Sequence, residues 1–63
     1  MLSDEEKLAQ ELLRFRVIND MTQEEFAKKC GIARCTVVLA EKGNANISKK
    51  MRTKIMLFIE NNQ

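Results

Sequence analysis

An all-α fold is predicted by three features of the sequence. The 63-residue chain has no Pro and only two Gly, which is too little punctuation for a multi-strand fold. Two capping-box patterns, Ser3-Asp4-Glu5-Glu6 and Thr22-Gln23-Glu24-Glu25, mark helix starts. In each, a hydroxyl and a carboxylate three residues apart can satisfy two free backbone amides. Apolar residues then recur at helical spacing, as at Leu8, Leu12 and Phe15.

The first helix is expected to begin after Ser3 and to reach about Ile18. Asn19 and Asp20 tolerate the turn conformations that end it. The second runs from about Gln23 to Lys29, with Met21 and Phe26 at the two positions of a hydrophobic staple. It stops at Gly31, which enters a left-handed turn without steric cost. The third runs from about Arg34 to Lys42, with Val37 and Ala40 facing inward beside Ile32 and with Gly43 closing it. Ala33 stands where a Ser or Thr cap belongs, a flaw worth ~1 kcal/mol. A short loop over 44–47 leads to Ser48, which caps a fourth helix with the inner stripe Met51, Ile55, Phe58 and Ile59. That helix is apolar on more than one side. Leu57 points some ~200° from Ile55 at ~100° per residue, and a second chain is its expected cover.

Several function classes are excluded by composition. There is no His, no Gly-rich phosphate loop, no paired-carboxylate cleft and no nucleophile motif, so no enzyme is expected. Cys30 and Cys35 are too few for a disulfide scaffold and lack partners for a zinc site. They read as reduced thiols, Cys30 inside and Cys35 outside. No metal, cofactor or small-molecule ligand is expected. No apolar run has signal-peptide or transmembrane length and the first segment is acidic, so the expected location is cytoplasmic, with no membrane partner.

The net charge of +2 conceals an asymmetry. Residues 1–25 carry −4, residues 28–54 carry +7 with Glu41 as their only acid, and the last nine carry −1. A +7 segment in so small a chain is an electrostatic footprint for a polyanion; the plainer reading is a solvated basic face.

Residues 12–43, LLRFRVINDMTQEEFAKKCGIARCTVVLAEKG, resemble the helix-turn-helix of the lambda-repressor-like (Cro/C1-type, XRE) family of bacterial and phage regulators. The resemblance rests on Leu12, Phe15 and Arg16, the Met-Thr-Gln-Glu-Glu start of the second helix, Ala27, Gly31 four residues later, Ile32, Val37 and the Glu41-Lys42-Gly43 ending. From Ile47 onward the text ISKKMRTKIMLFIEN departs from that family and looks more like the third helix of a LacI-type headpiece. The resemblance implies one compact domain over 1–63, of four or at most five helices, with the helix-turn-helix at about 22–42. It also implies a bacterial or phage-encoded regulator acting on the chromosome.

Site residues follow from the same resemblance. Arg34, Cys35 and Leu39, with Ala33 and Val38 alongside, are expected at base edges in the major groove. Gln23 matches the family's phosphate-clamping Gln, Thr36 and Lys42 are expected to reach phosphates, and Lys49, Lys50, Arg52 and Lys54 form a basic flank. Glu41 matches the acid that pairs with the residue at the Arg16 position, tying the first helix to the third. Met56 and Leu57, with Phe58 at the edge, are the expected homodimer surface. The functional expectation is a double-stranded-DNA-binding transcriptional regulator, a homodimeric repressor on a palindromic operator. The alternative is a protein-interaction module that keeps the helix-turn-helix scaffold and docks a partner on Val38 and Leu39.

Overall fold

A computed structural model describes residues 2–43 and 46–62. Among them are four helices and no strand: α1 (Asp4–Ile18), α2 (Gln23–Cys30), α3 (Arg34–Glu41) and α4 (Lys49–Asn61). Of the loop expected over 44–47, Asn44 and Ala45 lie outside the described residues.

The helix starts form as their side chains dictate. Ser3 Oγ accepts from the Glu6 amide and Glu6 Oε1 from the Ser3 amide, both at 3.2 Å. The reciprocal pair at Thr22 and Glu25 is 3.0 Å in each direction. The amide donated by Ser3, and then its hydroxyl, hold the Glu6 carboxyl below its ordinary 4.5, and Thr22 does the same for Glu25. What these caps contribute is present above that ordinary value and is lost as pH falls through the lowered folded values. Ser48 caps α4 by accepting from the Met51 amide at 3.2 Å, whereas Ala33 supplies no side-chain cap to α3.

The turns depend on left-handed residues. Asp20 takes φ 54° after α1, Gly31 φ 77° after α2 and Gly43 φ 70° after α3. At Gly31 the chain reverses tightly enough that the Ala27 carbonyl accepts both the Gly31 and the Ile32 amides, at 2.9 and 3.0 Å.

The core gathers one stripe from each helix. Leu12, Phe26, Val37 and Ile55 are fully buried, with Leu8, Phe15, Ala27, Ala40 and Ile59 around them. Met21 is partly buried and packs against this core. All three phenylalanines meet edge to face, Phe15 with Phe26 and with Phe58 at 5.8 Å and Phe26 with Phe58 at 5.1 Å. Such pairs add ~0.5–1.5 kcal/mol beyond burial. This corrects one expectation: the Phe58 ring is turned into the aromatic cluster, away from the outer face of α4. Met56 also leans on the core, so Leu57, at 52% exposed, is the outward apolar residue of that helix. No helix among the described residues is long and apolar enough to cross a membrane.

Candidate nucleic-acid interface

Helix α3 lies across the molecule with its inner face set by Val37 and Ala40, packed on α1 and α2. At ~100° per residue its outer stripe is Cys35, Val38, Leu39 and Lys42. Ala33, Arg34, Cys35 and Lys42 are exposed, Leu39 is just over one-third exposed, and Thr36 and Val38 are half-buried. Arg34 sits on the flank of α3 nearest the start of α2. There it lines an open cleft of about 530 Å³ with Arg16, Thr22, Gln23 and Glu24.

The orientation of α3 is held by one polar cluster. Glu41, at the end of α3, receives Arg16 through two parallel bonds: Nε donates to Oε2, and Nη2 donates to Oε1 at 3.0 Å. Both side chains are mostly out of solvent, at 16% and 13% exposure. Arg16 also donates Nη1 to the Met21 carbonyl at 3.0 Å, and its own carbonyl accepts the Met21 amide at 2.8 Å. Gln23 donates Nε2 to Glu41 Oε1 at 3.0 Å. One arginine and one glutamate therefore tie together the end of α1, the α1–α2 turn, the start of α2 and the end of α3. A pair this enclosed is weak evidence for net stability, but losing either partner leaves a poorly solvated charge.

The basic residues of α4 fall on two faces of the helix. Lys54 donates to the Gly31 carbonyl at 3.2 Å, beside the α2–α3 turn. Arg52 pairs with Glu5 of α1 at 2.8 Å, and with Lys49 it opens onto a cleft also lined by Asp4, Lys7, Met56 and Leu57. Helix periodicity sorts these residues into two pairs: Lys49 and Arg52, three apart, line one cleft, and Lys50 and Lys54, four apart, share another face. Lys50 is exposed. Cys30 is buried beneath the same turn, where desolvation pushes its thiol pKa up against the opposing pull of Lys54; Cys35 is free and exposed. Among the described residues no group of three or more Cys, Asp and Glu side chains is placed to hold a metal ion.

Sequence reading missed the Gln23–Glu41 and Lys54–Gly31 contacts, since each joins residues 18 or 23 positions apart with no local pattern to announce it. For Gln23, the available signal was its place one residue inside a capping box whose helix start faces the Arg16–Glu41 pair.

Comparison with known proteins shows the family. An uncharacterized HTH-type (helix-turn-helix-type) transcriptional regulator of Methanocaldococcus jannaschii is 41% identical over 44 residues, which is 70% of this chain and 67% of that protein. The chain belongs to the HTH-type transcriptional regulators. Two uncharacterized HTH-type transcriptional regulators of Archaeoglobus fulgidus are each 51% identical over 41 residues, 65% of this chain. The matched stretch spans only 58% and 59% of those two regulators. These HTH relatives are archaeal, where the resemblance alone had implied bacterial or phage regulators. No family model matches the sequence, and no solved structure matches it. The two short helices α2 and α3 are joined through the left-handed Gly31.

Proposed function

We propose that this HTH chain binds double-stranded DNA by laying the start of α3 in the major groove, with α2 crossing the backbone, and that it regulates transcription in the Cro/C1 manner, as a repressor by occlusion. The observation that carries this reading is the outward presentation of Arg34, Cys35, Leu39 and Lys42 on a helix braced from behind by Arg16 and Glu41. Arg34 has the planar donor pair that matches the O6 and N7 acceptors of guanine. Val38 and Leu39 would read thymine methyl groups, a less discriminating contact. Gln23, Thr36 and Lys42 would engage phosphates, and the +7 charge of residues 28–54 supplies affinity that does not depend on sequence.

The chain acts as a homodimer in this reading. Its longest dimension is 26 Å, short of the ~34 Å between successive major-groove faces on one side of DNA, so one copy reads one half-site. The surface proposed for pairing is the cleft of α1 and α4 around Leu57. Its rim carries both Asp4 and Glu60 and both Lys7 and Lys49, so two copies about a two-fold axis can match acid to base.

A second reading rests on one observation. Leu39 is an exposed leucine beside half-buried Val38 on the same face, which suits a protein partner as well as a groove. Selection of bound duplexes from a random pool distinguishes the two. Enrichment of a two-fold symmetric site with half-sites one helical turn apart supports the proposal; a pool that emerges unenriched favours the interaction module.

A further inference from the structure

At the start of α2 the Gln23 side chain reaches back into the Arg16–Glu41 cluster, and the chemistry of that contact is one-sided. A carboxylate only accepts hydrogen bonds, whereas a glutamine amide presents a carbonyl oxygen on one side and an NH₂ on the other. With Glu41 Oε1 at 3.0 Å, only the NH₂ can face it. The reversed amide would set its oxygen against the carboxylate. Nε2 carries two hydrogens, and Glu41 uses one.

The helix start beside it is already arranged for an acceptor. The capping box engages the amides of Thr22 and Glu25, and the Phe26 amide is bonded to the Thr22 carbonyl. The Gln23 and Glu24 amides are left at the open end of the helix, where such N–H groups favour an anionic oxygen. An anion there is served by the second hydrogen of Gln23 and repelled by its carbonyl oxygen.

We infer that Glu41 is a positioning residue for DNA, fixing the Gln23 amide in the one orientation that offers a donor to a backbone phosphate. The inference rests on the DNA-binding reading above and deepens it. Glu41 never touches DNA; it removes the choice between two amide orientations before binding, so that cost is not met in the complex. The sign of the effect separates this from simple charge. Deleting a carboxylate makes the chain more cationic and by Coulomb's law alone tightens binding to a polyanion, whereas loss of positioning weakens it.

The test has two arms on the full chain. In the first, affinity for a mixed-sequence DNA duplex is measured at fixed low salt for wild type, Gln23→Met, Glu41→Ala and the double variant, all below their melting temperatures. Each single change is expected to weaken binding roughly ten-fold, the scale of one charge-assisted hydrogen bond, and Glu41→Ala to cost less than about two-fold further once Gln23 is Met. Equal factors in both backgrounds would overturn the inference while leaving DNA binding standing. A wild-type chain that ignores the duplex removes the DNA reading itself and the inference with it.

The second arm is the NMR signature of the Gln23 side-chain amide in the wild-type protein, which decides even where Glu41→Ala does not fold. Its two protons are expected to exchange more slowly than those of exposed Gln10, and one of them to shift when duplex is added. Exchange as fast as that of Gln10 refutes the positioning.

Discussion

Arg34 and Lys42 both project from α3, yet they are assigned different work, and the difference is measurable. In the proposed function Arg34 meets a base edge and Lys42 a phosphate. Arg34→Ala is expected to cost ~1–3 kcal/mol and to relax preference at one base pair of each half-site. Lys42→Ala is expected to weaken all sequences alike and to lower the salt slope by about one. Identical loss of specificity from both changes would contradict this division. The cysteines give a second residue-scale check, because Cys30 lies buried with its thiol pKa raised by desolvation while Cys35 stands exposed on α3. A thiol reagent should modify Cys35 first, and bound duplex should slow that reaction. Faster labelling of Cys30 in the folded chain would mean that the outward face of α3 is a different one. At this scale the sequence was legible where one residue has one conformational or packing role, as with Gly31 and Val37. It was less legible where long polar side chains choose among partners: Arg52 goes to Glu5, Lys54 to Gly31 and Gln23 to Glu41, choices settled by tertiary proximity.

The helices show why their starts were easier to read than their outer faces. Capping boxes are local, so Ser3–Glu6 and Thr22–Glu25 announce α1 and α2 in the sequence and recur as bonds in the structure. The faces of α4 are not local. Phe58 was read both as part of the inner stripe and as the edge of a dimer surface, and only the positions of Phe15 and Phe26 decide that its ring turns inward. Helix α3 keeps a visible defect, for Ala33 occupies the cap position in the extended conformation with no side chain to cap the helix. The Thr36 amide already donates to the Ala33 carbonyl at 3.0 Å, so in Ala33→Ser the hydroxyl should accept the Cys35 amide and raise stability by ~1 kcal/mol, read from denaturant unfolding with an unchanged slope. No gain would mean that the start of α3 departs from the geometry described.

For the whole molecule, the division of charge and apolar surface is what the functional reading has to explain. Acidic residues concentrate in the first 25 positions and basic ones between 28 and 54, so α1 and the α3–α4 half carry opposite signs, and Arg52–Glu5 is one bond across that divide. The exposed Leu57 lies in the α1–α4 cleft, away from the outward stripe of α3. Leu57→Lys should leave the inward stripe of Met51, Ile55 and Ile59 intact. The variant is expected to fold, to sediment as a monomer, and to bind a palindromic duplex less tightly and less cooperatively. Unfolding would assign Leu57 to the monomer core, and unchanged sedimentation would put the dimer surface elsewhere. The central claim, that this chain is a DNA reader and not a scaffold for a protein partner, is tested most directly by the salt dependence of duplex binding. Each phosphate neutralised contributes about 0.9 to the slope of log affinity against log salt. With two cations such as Lys42 and the exposed Lys50 engaged in each of two half-sites, the slope should be steeply negative, on the order of −4. Affinity that barely changes with salt, or no duplex binding at low salt, would contradict it.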